Sequence, residues 1–484
     1  MAAKRYLLLA ALLLAAPAAL HARRPAAAFG SLNVSRDTGS APAAPSVSAP
    51  AAVQPQLQLP LAPKKYTVIL LINGKNNLAP FMVRKMMELE ELGSDANINF
   101  VVELGLMKPE PACSTCAVPN MHGADWEGTR RYYVLPNPAQ PAATIVSSLR
   151  LPAPEDIDMG DSNSLVDFVN WSKANFPAQK YILVIGNHGG AWVDRAKKPA
   201  ASANKGVSYD DVTGNYITTP QIGEALRASG GADVLIFDDC LMQAAEVAGE
   251  VGDAAGFMVG SEEIGYSNHF KPAQLFAPLK ADPNMSTADF VAGYMATFAA
   301  YNKALWDSTG KYPATMSSVV PARVIGLEAL VKRYVEAALA VPGPDARLAY
   351  REAMRDVIRY HYVYCADLYN FVELAQQNLA AKITAGSVTE SPQTRALDTA
   401  ADDLKGYITG ALVLNNFTSG NLNGVEYSKS RGVSIYIPSV KTPADIAGSP
   451  VFLIAPGTLQ TKYTDLQFDK ATGWSNFVKY LISR

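Results

Sequence analysis

Near-continuous apolar runs recur along the chain at Tyr66–Ile72, Ile98–Leu106, Tyr181–Ile185, Val234–Phe237 and Phe257–Gly260. Strands buried on both faces of a parallel sheet read this way. Between them the apolar positions switch to helical spacing. Phe81, Val83, Met86, Met87 and Leu89 follow Asn77, which stands where a helix cap is expected. Leu165, Phe168, Val169 and Trp171 give one face of a helix over Asp161–Asn175, which Pro177 ends. Thr218-Thr219-Pro220-Gln221 starts another, with a capping hydroxyl and proline in the first turn, and it runs to about Ser229. A further helix is predicted over Met242–Val251, and Arg130–Leu135 reads as a short strand. This alternation predicts an α/β fold whose mostly parallel sheet is covered by helices on both faces. After about Ser286 helices dominate to roughly Leu412, and Gly432–Pro438 returns as a strand. The expected organisation is a domain over 64–285, followed by a largely helical or α+β region over 286–484 packed on it.

Two of the runs end abruptly in a reactive side chain. Ile185-Gly186-Asn187-His188-Gly189-Gly190 delivers a histidine, and Phe237-Asp238-Asp239-Cys240-Leu241-Met242 delivers a cysteine. Chemistry in α/β proteins collects at the carboxyl ends of such strands. A thiol and an imidazole on neighbouring strand ends are the minimum equipment of a cysteine nucleophile. Glycine after the histidine lets backbone approach a substrate, and its amide can donate to a developing oxyanion. The Cys240 amide, expected at a helix start, is a second such donor, and a helix N-terminus would lower the thiol pKa. Either residue alone fits a core cysteine or a turn histidine; both together favour an enzyme. His361 and Cys365 form a rival pair, four apart in a stretch read as helical, and are taken as packing residues. Asp238 either faces a substrate pocket, pairing with Lys or Arg, or is a first-turn acid.

The net charge of −2 excludes a broad electrostatic attraction to nucleic acid or acidic membranes. Lys4 and Arg5 precede the apolar stretch Leu7–Leu14, and small residues follow through Ala22. That pattern describes a signal peptide over 1–22, cut after Ala18 or Ala22, and the run is short for a membrane span. The Ala/Pro-rich stretch 23–63 reads as a disordered linker or pro-segment. Export, secreted or periplasmic, permits disulfides. Cys113 and Cys116 form either a local disulfide or two free loop thiols, and only His122 lies near as a further zinc ligand.

The two blocks around His188 and Cys240 resemble those of the clostripain family of cysteine peptidases, in the same clan as caspases. Asp158-Met159-Gly160-Asp161, Tyr209-Asp210-Asp211, Ser261-Glu262-Glu263, Asp367-Leu368-Tyr369 and Gly432–Tyr436 extend the likeness over roughly Lys65 to the C-terminus. The resemblance implies a caspase-like α/β sandwich. It implies Cys240 as nucleophile, His188 as the acid that protonates the leaving amine, and Gly189 and Cys240 as oxyanion donors, with no third orienting residue. It implies cleavage after Arg or Lys, with Asp238 lining the pocket. Self-cleavage between histidine and cysteine is implied too, and the loop Asp194–Lys205 offers Arg195, Lys197, Lys198 and Lys205. The expected partners are protein or peptide substrates, and the expected form is a monomer or a self-cleaved two-chain enzyme. No cofactor or metal ligand is assigned; some relatives bind calcium, but no loop here has EF-hand spacing. The chain departs from the family at Asp239, where alanine is usual, at Ala191, where glycine is frequent, and at Gly74–Asn77 and Ile264–His269, which lack the usual acids. The rival readings are a non-catalytic exported binding protein on the same scaffold and a thiol or metal protein built on Cys113 and Cys116.

Overall fold

Side-chain parity explains the architecture. Along a strand successive residues face opposite sides of the sheet, so a strand apolar at every position must be covered twice. The computed structural model describes residues 57–107, 126–137, 148–154, 156–192, 206–266, 268–422, 425–440 and 461–483. The expected signal peptide, most of the linker, Cys113, Cys116, His122 and the basic residues Arg195, Lys197, Lys198 and Lys205 lie outside them.

In chain order the elements are β1 (Lys64–Gly74), α1 (Ala79–Leu92), β2 (Ile98–Leu106), β3 (Gly128–Tyr133), β4 (Leu149–Leu151), α2 (Ser162–Asn175) and β5 (Ala178–Gly186). Then come β6 (Val207–Asp210), β7 (Asn215–Ile217), α3 (Thr219–Ala228), β8 (Ala232–Asp238), α4 (Ala245–Val251), β9 (Ala255–Gly260), α5 (Pro272–Ala281) and α6 (Thr287–Thr309). The remainder is β10 (Ala314–Val319), α7 (Val324–Ala340), α8 (Pro344–Asp356), β11 (Cys365–Asp367), α9 (Leu368–Thr384), α10 (Pro392–Tyr407), β12 (Val413–Ser419), a short hairpin β13–β14 (Asn421–Leu422, Val425–Glu426), β15 (Ser434–Tyr436), α11 (Gln467–Thr472) and α12 (Trp474–Ile482).

Among the described residues nine strands form one sheet, in the order β12-β10-β9-β8-β5-β1-β2-β3-β4. Its centre, β2-β1-β5-β8-β9, is parallel, and antiparallel pairs close both edges. Val68, Leu70, Ile182, Val184, Val234 and Ile236 face α1, α5 and α6 through Met82, Met86, Phe276, Phe290 and Tyr294. The alternate residues Ile69, Leu71, Leu183, Ile185, Leu235 and Phe237 face the other way, onto a core that takes in α2, α3, α4 and α7. Each large apolar side chain so buried contributes roughly 1.5–3 kcal/mol.

Local signals set several ends. The Thr218 amide donates to Gln221 Oε1 at 2.9 Å, the capping arrangement read from the sequence, with proline in the first turn of α3. Ser286 Oγ accepts from Asp289 N at 3.1 Å to start α6, and Gly310 ends it in the left-handed conformation.

The chain after Ser286 contributes to the same sheet. β10 and β12 pair with each other and β10 with β9, within one compact unit, Gln54–Arg484. The helical reading of His361 and Cys365 is corrected: α8 stops at Asp356, and Cys365 lies in β11, paired with Tyr436 of β15. The intervening Val357-Ile358 and Tyr360–Tyr364 are β-branched and aromatic residues that favour extended backbone over helix.

Candidate active site

The carboxyl ends of β1, β5 and β8 lie side by side, with Ile72 in register with Gly186 and Gly186 with Asp238. The turns that follow must therefore share one small volume. Asn187 holds them together. Its amide donates to Asp239 Oδ1 at 2.6 Å, its Oδ1 accepts from Tyr209 N at 2.9 Å, and its Nδ2 donates to the Asn73 carbonyl. Asn73 reaches the same strand, donating to Tyr209 O at 2.9 Å. Asn76 does so too, at 2.8 Å, while its Oδ1 accepts from Leu78 N. Every one of these groups is buried or nearly so, where an unpaired polar atom costs about 1–3 kcal/mol.

His188 stands half-buried on this base. Its Nε2 is 2.7 Å from Asn77 Oδ1, and its ring meets Tyr209 edge to face with centroids 6.4 Å apart. With the amide oxygen as acceptor, Nε2 carries the proton and Nδ1 is the free base. Burial lowers the imidazole pKa to about 4, so the ring is neutral at physiological pH. Asn77 does not cap α1: the cap position is Leu78, without a side-chain bond. Sequence reasoning gave this asparagine the wrong partner, since its place before a helix is the stronger local signal.

Cys240 lies against the residue that follows the histidine. A Cβ added at Gly189 would sit 2.1 Å from the Cys240 carbonyl oxygen and 3.0 Å from its nitrogen, so only glycine permits this backbone contact. The sulfur accepts from Gly265 N at 3.3 Å, and the thiol is 3.8 Å from Gly265 O. Burial pushes the thiol pKa up to about 12; the charges of Asp239 and Glu263 act in the same direction, while the amides of Gly265 and Gly189 oppose them. The helix expected from Met242 begins only at Ala245, so Cys240 does not stand at its N-terminus, and the thiol pKa is raised instead of lowered. Leu241 instead takes φ +62°, with its amide donating to Glu263 O at 3.1 Å. Ala191 (φ +54°) is strained in the same sense, so a left-handed non-glycine residue lies close in sequence to each reactive group.

Parity separates the two aspartates before Cys240. Asp238 continues the Val234–Ile236 face, where its Oδ2 is bonded to Lys85 of α1. Asp239 points the other way, toward Asn187. Burial raises the pKa of both carboxyls, and Lys85 opposes the rise at each. Asp238 is thus near the nucleophile in sequence but engaged beneath the sheet's end. Glu263, a residue not singled out as a site group, accepts from the His361 amide and from the Tyr427 hydroxyl. It anchors the segment that carries Gly265. Among the described residues no group of three or more His, Cys, Asp or Glu side chains is arranged to hold a metal ion.

A parallel sheet covered on both faces, with histidine and cysteine at adjacent strand ends, is the caspase-like arrangement. The sequence matches the Clostripain family over residues 72–481, and the chain belongs to that family. It is 26% identical to the clostripain of Hathewaya histolytica over 240 residues, 47% of this chain and 44% of that protein, so the match spans less than half of either. The fold is that of a secreted C11 cysteine protease from Bacteroides thetaiotaomicron, with TM-score 0.56, 14% identity, and coverage of 85% of this chain and 100% of that one. An inactive zymogen of a C11 protease from Parabacteroides distasonis matches at TM-score 0.53 and 15% identity, over 86% of this chain and 99% of that one.

Proposed function

We propose that this chain is an exported cysteine endopeptidase that cuts after Arg or Lys and processes itself in the loop between His188 and Cys240. The observation that carries the catalytic part is the contact of the Gly189 backbone with the Cys240 backbone, which brings the imidazole-bearing turn to the thiol. The Cys240 proton passes to His188, sulfur bonds to the scissile carbonyl carbon, and the Gly189 and Cys240 amides receive the oxyanion. Collapse breaks the carbon–nitrogen bond, and the amine leaves with the proton from His188. Water, deprotonated by His188, then cleaves the thioester and restores the thiol.

On this reading the uncut chain is a resting form. A thiol at about 12 and an imidazole at about 4 leave the pair uncharged between those values. The Gly265 amide donates to the sulfur, which suits a precursor awaiting cleavage. Export is supported by the basic start and apolar run at the N-terminus, and among the described residues no helix is long and apolar enough to cross a membrane. Basic specificity rests on the family likeness and on Asp238; self-processing rests on the composition of the Asp194–Lys205 loop.

The test is hydrolysis of fluorogenic peptides ending in Arg, Lys, Ala or Asp by wild type and Cys240→Ala, with N-terminal sequencing of any new chain. Wild type is expected to cut after Arg or Lys and to split within 194–205, and the variant to do neither. Cleavage after another residue keeps Cys240 and removes Asp238 from its role. An intact, inactive wild type under reducing conditions returns the binding-protein reading.

A further inference from the structure

The site that would recognise a basic substrate side chain already holds a cation. Asp238 ends β8 on the face covered by α1, and the Lys85 ammonium of α1 is bonded to its Oδ2. The same ammonium lies 5.2 Å from the centroid of the Phe270 ring. Carboxylate and aromatic face are the two features that bind a lysine or arginine head group. Both side chains are about nine-tenths buried, so the pair is shielded from salt and solvent. What remains beside them is a cavity of about 20 Å³ lined by Gly186, Lys85, Asp238, Phe270, Phe276 and Tyr294. That is room for one water, not for a substrate side chain. Asp238 Oδ1 is buried and has no hydrogen-bond partner. A Cβ at Gly186 would stand 3.7 Å from Asp238, so the glycine keeps that flank open.

We propose that Lys85 is a specificity-determining residue: an internal ammonium that occupies the Asp238 site and competes with the basic side chain of the substrate. The inference rests on the reading of Asp238 as the acid that selects Arg or Lys. With Lys85 in place the carboxylate is already neutralised, and a second cation must displace the first or share one carboxylate with it against like-charge repulsion. Lys85 therefore attenuates basic preference. It does so from α1, 153 residues before Asp238 in sequence.

The experiment measures kcat/KM for matched peptides ending in Lys, Arg and Ala with wild type, Lys85→Met, Lys85→Arg, Asp238→Asn and the double variant Lys85→Met/Asp238→Asn. The Ala peptide reports the state of the dyad in each, and thermal melting reports folding. Lys85→Met is expected to raise the ratio of basic to Ala cleavage about tenfold or more, mainly through KM. Lys85→Arg should keep the wild-type ratio, and the double variant should lose the gain. Should Lys85→Met fail to fold, Lys85→Gln keeps a donor to Asp238 without the charge and gives the same readout. If wild type prefers basic residues, Asp238→Asn abolishes the preference and Lys85→Met leaves it unchanged, the Lys85 inference falls and the basic reading stands. If neither wild type nor Lys85→Met cuts after Arg or Lys, the role of Asp238 itself fails, and the inference with it.

Discussion

The tightest contact in the site gives the sharpest mutational test. Gly189→Ala adds one methyl at a point 2.1 Å from the Cys240 carbonyl oxygen, 2.9 Å from Asp239 Cβ and 3.0 Å from the Cys240 nitrogen. The neighbours are backbone and a Cβ, so no flexible side chain can swing away. Gly189 does not occupy the left-handed region, so alanine is acceptable to its own backbone and the cost is one of space. The histidine turn must withdraw from Cys240 by about 1 Å, and a displacement of that size at a reacting pair costs about 10²-fold. Loss of one oxyanion donor costs about 10²–10³-fold. The expected result is a fall of about 10²–10³ in kcat with KM little changed, together with a loss of about 1–3 kcal/mol from overpacking. Steady-state kinetics on the best peptide, alongside urea unfolding, reads both numbers. Gly406→Ala in α10 is the control: nothing lies within 4 Å of its added Cβ, so it should keep activity and gain about 0.5–1 kcal/mol. A Gly189→Ala enzyme that keeps kcat within about twofold refutes the argument that this contact assembles the site.

Two further outcomes follow from buried titratable groups. With its thiol at about 12, Cys240 of the uncut protein should react with iodoacetamide about 10³-fold more slowly than free cysteine at neutral pH. Its rate should rise about tenfold per pH unit toward pH 10 and increase at neutral pH once the chain is cut; free-cysteine reactivity in the uncut protein would contradict the resting form. Glu246 accepts from Tyr436 N at 2.9 Å and Tyr463 Oη at 2.8 Å, its Oε2 has no partner, and burial raises its pKa to about 7 from 4.5. The folded state thus holds this proton more tightly than the unfolded one. The stabilisation is present below pH 4.5 and is lost as pH rises through 7, by up to about 3 kcal/mol. Glu246→Gln should lack that loss, so its stability relative to wild type should rise between pH 5 and pH 8. A gap that stays constant over that range would mean Glu246 does not titrate there.

The ends of β5 and β8, and hence His188 and Cys240, could be read directly from the chain. Strands buried on both faces are apolar at every position, and a polar reactive group marks where burial stops. The start of α3 was equally legible, because a capping hydroxyl, a proline and a glutamine act within one turn. The departure at Ala191 was visible as a residue, but its meaning came from the backbone: φ is +54° there, a conformation that glycine adopts without strain. β10 was hidden in a stretch read as helical, since Ala314–Val319 is too short and too polar to announce a buried strand.

Sequence alone determined which faces the strand residues take, because that alternation is fixed by the local backbone. It set Asp238 and Asp239 on opposite sides of the sheet and left both beside Cys240. Only the tertiary structure decided what each group meets. Asn77 was expected to cap a helix and instead holds His188; Cys240 was expected at a helix start and instead accepts from the Gly265 amide. Asp238 found Lys85 because α1 packs on the sheet face toward which Asp238 points, within reach of the lysine side chain. Period and capping are decided within a few residues. Charge pairing, burial and the pKa values that follow are decided by neighbours that folding alone brings within reach.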